Sequence, residues 1–105
     1  MAWIYLALAG LLEVLWAFTM KLSHGFTRPV PTTIMIAGMI GSMVLLALAM
    51  RSLPLGTAYM IWTGIGAVGA FLLGVVVLGE AVTPLRVAAA VLITSGIVMM
   101  KIASD

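Results

Sequence analysis

The chain has 105 residues, 65% hydrophobic and only 8% charged; a soluble domain carries about 25% charged residues, so this composition is that of an integral membrane protein. Five Lys/Arg against three Asp/Glu leave a formal charge of +2, too sparse for the basic face that nucleic-acid binding needs. With no cysteine, disulfides and thiolate metal sites are excluded, and the length allows a single domain, residues 1–105.

A bilayer core about 30 Å thick takes roughly 20 helical residues, and four apolar runs of that size follow one another. The first, Ala2 to Met20, contains one carboxylate, Glu13, inside the stretch GLLEVLWAF. Ala7-Leu8-Ala9 resembles a signal-peptide cleavage site, but no positive segment precedes it and the apolar run continues past it, so the helix is expected to be retained. The break KLSHGFTRPVP carries a glycine and two prolines and leads to the second span, Pro31 to Met50. RSLPLG turns the chain into the third, Gly56 to Leu78. GEAVTP places Thr83 as N-cap and Pro84 at the first helical position of the fourth, Leu85 to Ala103. Arg86 and Lys101 bracket that last span and must snorkel toward the headgroups. No stretch reads as a strand, and the predicted fold class is an all-α membrane protein of four transmembrane helices.

An even number of spans puts both termini and the middle loop on one side, with Arg51 and Lys101, and leaves Lys21, Arg28 and Arg86 on the other. Lys and Arg near span ends set orientation, and this near-even split gives almost no bias. The plain reading is that so small a count does not predict topology; the sharper one is dual topology, one chain inserting both ways and pairing antiparallel, the inverted symmetry that many transporters obtain from internal repeats.

A carboxylate near mid-span costs roughly 2.5–3.5 kcal/mol on insertion scales. Glu80 and Asp105 fall in a loop and at the terminus, so Glu13 is the one deeply intramembrane ionisable group. Desolvation disfavours its charged form, which suits a group that takes up and releases protons; the plainer alternative is a protonated Glu acting as interhelical glue. Gly10, Glu13, Trp16 and Ala17 share one helical face, as do Tyr59, Trp62, Gly66 and Gly69 in the third span, and Ser42 is a central hydroxyl in the second. One acid, aromatic faces and hydroxyl donors suit a small organic cation, through Coulomb attraction, hydrogen bonds and cation–π contact. Mg²⁺ or Ca²⁺ would want several oxygen ligands; the only histidine, His24, lies in the first loop. No metal and no cofactor is expected. No nucleophile–base pair is visible either, which argues against an enzyme.

Trp3 and Tyr5 read as interfacial aromatics, and Gly38, Gly41, Gly74 and Gly96 as packing glycines. The cluster TGIGAVG, Thr63 to Gly69, is denser than packing requires and predicts a hinge. The nine methionines read as adaptable filler, with Met39 and Met43 candidates for a flexible side opening.

Taken together, AGLLEVLWAFTMKLSHGFTR, RSLPLGTAYMIWTGIGAVGA and the closing GIVMMK resemble the small multidrug resistance family across the whole chain. Trp16 after Glu13-Val14 and the GTAY…WTGIGA segment are similar to its guanidinium-exporting subtype rather than to the quaternary-ammonium multidrug subtype. The resemblance implies an antiparallel homodimer in the cell membrane that exports guanidinium in exchange for protons, each Glu13 held alternately by proton and substrate. It implies supporting roles for Gly10, Trp16, Ser42, Tyr59 and Trp62, a bend at Gly64-Ile65-Gly66, and subunit contact near Gly96. Met60 stands where the family usually has a small residue, and Ala89 where a glycine is often found. The competing readings are a multidrug exporter of quaternary ammonium or other hydrophobic cations, a small dual-topology ion channel, and a proton-carrying ring subunit, which four spans and an aromatic lining disfavour.

Overall fold

The computed structural model describes residues 1–104; Asp105 lies outside the described residues. Four helices follow in order, α1 Ala2–Leu22, α2 Pro29–Ala49, α3 Leu55–Val76 and α4 Pro84–Ser104, with no strand among the described residues. Each has 21 or 22 residues, about 32 Å of helix at 1.5 Å per residue, enough to cross a bilayer core. All four are long and apolar enough to be membrane spans.

The boundaries follow local chemistry. α2 begins at Pro29, two residues before the expected start, because the first turn of a helix has no acceptors for its own N–H groups and tolerates both Pro29 and Pro31. α3 stops at Val76, two residues short of the expected end. There Gly79, with φ +70°, reverses the chain, and the Glu80 N–H reaches back to the Gly74 carbonyl at 2.9 Å. Thr83 caps α4 as its sequence predicts: its Oγ1 accepts the Arg86 N–H at 3.1 Å. Loop 1 is tied by Ser23, whose hydroxyl donates to the Met20 carbonyl at 2.7 Å and accepts the Phe26 N–H at 3.1 Å.

α1 packs against α2 and α3; the α4 backbone lies close to that of α3, and its Lys101 ammonium reaches the Trp3 ring of α1. The core gathers where α1, α2 and α3 meet, around Leu6, Ala9, Leu46, Ala49, Ala58, Ile61 and Trp62. Gly38 and Gly41 permit the tight α1–α2 approach: a methyl at Gly38 would press on Trp16 Cβ at 3.3 Å, and one at Gly41 on Leu12 at 3.1 Å. α4 has no buried residue, and Gly96 faces open space.

Candidate functional site

Polar side chains in an apolar helix must find partners or stay costly. Most of the hydroxyls here are satisfied within their own helix. Thr19, Thr32, Thr33, Thr63 and Thr94 each donate to the carbonyl four residues back. Ser42 is different. Fully buried on α2, it donates to the Ala9 carbonyl of α1 at 2.6 Å and accepts the Trp62 indole N–H of α3 at 2.9 Å. One hydroxyl therefore ties three helices together. In an α-helix the Ala9 carbonyl also receives the N–H of residue 13, so the tie is anchored on the turn that carries Glu13. Tyr59 lies beside this network, its ring 5.6 Å from that of Trp62 at 52°, with half of its own surface exposed.

Glu13 itself points toward α3. Its Oε1 is buried and has no hydrogen-bond partner among the described residues, and the same is true of the Trp16 indole nitrogen. The carboxyl rests where Gly66 has no side chain: a Cβ there would overlap Glu13 Oε1 and Cδ. Gly69, one turn on, makes the same room for Val14, and Gly10 in return accommodates Ile65, whose Cγ2 would lie 2.6 Å from a Cβ at position 10. Gly64 faces the other way, toward Ile97 of α4. One turn beyond Glu13 along α1, a cavity of about 370 Å³ opens between α1 and α3, lined by Ala17, Ala67, Ala70 and Gly74, with Lys21, Glu80 and Arg86 at its polar end.

Of the residues singled out in the sequence, Ser42 and Trp62 are thus in direct contact, Tyr59 touches Trp62, and Glu13 touches Gly66. Trp16 packs its Cβ on α2 at Gly38, and Gly96 sits apart on α4. His24 is exposed in loop 1, and no group of three or more His, Cys, Asp or Glu capable of holding a metal occurs among the described residues. An acid with an unpartnered oxygen thus lies one turn from a three-helix hydroxyl–indole network, inside a chain of four membrane spans. The family model for Small Multidrug Resistance protein matches residues 1–103.

The chain belongs to the small multidrug resistance family. It is 55% identical to the guanidinium exporter of Escherichia coli strain K12 over 104 residues, covering 99% of each chain. The guanidinium exporter of Yersinia pseudotuberculosis is also 55% identical, over 99% of this chain and all of that one, and that of Citrobacter freundii is 53% identical, over 99% of each. Within this small multidrug resistance protein, two participants escaped the sequence reading. The Ala9 carbonyl has no side-chain signature, and Ile65, assigned to a hinge, packs its side chain onto Gly10.

Proposed function

We propose that this protein is a proton-coupled guanidinium exporter rather than an enzyme, working as an antiparallel, dual-topology homodimer of single-domain 1–105 chains. The observation that carries this reading is the buried, donorless Oε1 of Glu13, in a chain whose relatives are guanidinium exporters. A buried polar atom without a partner calls for an explanation, and a proton or a substrate N–H supplies the missing donor. Guanidinium is planar, presents its N–H groups in a fork that matches a carboxylate, and is more weakly hydrated than ammonium. Aromatic faces at Trp16, Tyr59 and Trp62 add cation–π attraction. Gly10 keeps α1 close to α3, and Ser42 holds the Glu13 turn and the Trp62 ring in register.

In the dimer, the Glu13 carboxyls of both protomers face one cavity and titrate as a coupled pair. Protons and guanidinium compete for that pair, so binding one expels the other, and a proton gradient drives the cation out. Exchange of conformation between the antiparallel protomers, with bending at Gly64-Ile65-Gly66, turns the cavity from one side to the other. The near-even division of Lys and Arg between the two faces supports insertion in both orientations. Support for dimerisation comes from α4, which has no buried residue and leaves Gly96 open, as a helix does when its partner is another chain.

The test is guanidinium uptake into proteoliposomes driven by a pH gradient. Wild-type protein should accumulate guanidinium and discriminate against a tetraalkylammonium ion, and Glu13→Gln should abolish exchange. Retained exchange in Glu13→Gln would overturn the mechanism, and preference for the tetraalkylammonium would return the protein to the multidrug subtype.

A further inference from the structure

Gly64 and Gly66 are two residues apart, and on an α-helix that is about 200° of rotation, so they look in nearly opposite directions. α3 runs without interruption through both. What distinguishes them is what they face. A Cβ on Gly64 would meet the far end of Ile97, Cδ1 and Cγ1 both at 2.8 Å, and a flexible side chain can turn aside. A Cβ on Gly66 would coincide with the Glu13 carboxyl, overlapping Oε1 and Cδ and lying 2.9 Å from Cγ. Gly69 belongs to the same α1–α3 contact, but there the opposing atoms are the methyls of Val14. The oxygen over Gly66 is also the one that is buried and unpartnered, so no hydrogen bond fixes it. Its position is set by the shape of the surface it lies on.

We propose that Gly66 is a positioning residue for Glu13: the absent side chain forms a steric seat that holds the buried carboxyl against the α3 backbone, in the place from which it binds guanidinium. The inference rests on the assignment of Glu13 as the binding acid. Any side chain at position 66 pushes the carboxyl off its seat, and displacing a reacting group by 1 Å costs up to about 100-fold in rate. The seat and the hinge make different demands on this glycine cluster. A hinge needs flexibility at Gly64 and Gly66 alike, whereas a seat needs empty space at Gly66 alone, and only against a carboxyl of glutamate length.

The experiment compares guanidinium exchange in proteoliposomes, and guanidinium binding in detergent by calorimetry, for Gly66→Ala, Gly69→Ala, Glu13→Asp, and the doubles Gly66→Ala/Glu13→Asp and Gly69→Ala/Glu13→Asp. Shortening the acid by one methylene withdraws the overlapping oxygen. The seat therefore predicts that Gly66→Ala loses about 100-fold in exchange and that Gly66→Ala/Glu13→Asp recovers to within about threefold of Glu13→Asp alone, a coupling that only contacting residues give. Glu13→Asp should bring no recovery to Gly69→Ala. If Gly66→Ala does not fold, the double variant decides: folded protein with the exchange of Glu13→Asp supports the seat, and failure of both overturns it. Wild-type exchange in Gly66→Ala, or a Gly66→Ala/Glu13→Asp double about 100-fold below Glu13→Asp alone, would each overturn it. Glu13→Gln separates the two levels: if it is inactive while Gly66→Ala is unimpaired, only the seat falls, and if it is active the assignment of Glu13 falls with it.

Discussion

Replacing Ser42 by alanine removes one oxygen from the centre of the molecule and leaves two groups without their partner. The Ala9 carbonyl keeps the N–H of its own helix and loses little. The Trp62 indole N–H, on a ring only 7% exposed, loses its 2.9 Å acceptor. A buried donor left unsatisfied costs about 1–3 kcal/mol, whereas interhelical hydrogen bonds in membranes average about 0.6 and reach about 1.7 kcal/mol, because the unfolded reference also finds partners. Ser42→Ala should therefore destabilise the bundle by about 1–2 kcal/mol. Trp62→Phe removes the donor and part of the ring, so it pays for lost packing as well. Once the donor is gone, the serine hydroxyl retains only its bond to Ala9, so the two losses overlap. The double variant should be less destabilised than the sum of the singles by about 1 kcal/mol, the range expected of residues in one network. Unfolding in mixed micelles on titration with SDS, followed by far-UV circular dichroism, measures all three differences. Losses that add to within about 0.3 kcal/mol would refute the network, since that is the behaviour of independent sites.

Other outcomes follow from single contacts. Thr83→Ala removes the acceptor of the Arg86 N–H and should cost about 1 kcal/mol of α4 stability, read as faster amide hydrogen exchange in its first turn; unchanged exchange there would mean the cap is redundant. Gly25→Ala has free space around it but φ +73°, so it should destabilise loop 1 by about 1–2 kcal/mol through backbone conformation alone, measured by the same SDS titration. Trp3→Leu keeps an apolar side chain but removes the ring 4.4 Å beneath the Lys101 ammonium, and should cost about 0.5–1 kcal/mol. If protons and guanidinium exclude each other at Glu13, calorimetric guanidinium affinity should fall as pH is lowered, by up to about tenfold per unit for each proton displaced, and pH-independent affinity would contradict the competition.

The features legible in the sequence are those fixed by neighbours along the chain. The four spans follow from length and apolarity, and the Thr83 cap needs only residues three apart. Glu13 stands out because insertion cost depends on depth, which span length alone reveals. What could not be read is which faces meet. Spacing groups Tyr59, Trp62, Gly66 and Gly69 on one side of α3, but the bundle gives them different neighbours: Trp62 bonds to Ser42 of α2, Gly66 and Gly69 abut α1, and Tyr59 keeps half its surface free. The reason is geometric, since a helix face about 100° wide can touch two neighbouring helices at once. The same limit governs TGIGAVG. Its glycines look redundant in a linear sequence, yet Gly64 serves α4 while Gly66 and Gly69 serve α1, so one segment carries two interfaces on opposite sides. Its density thus has a steric cause independent of any bending.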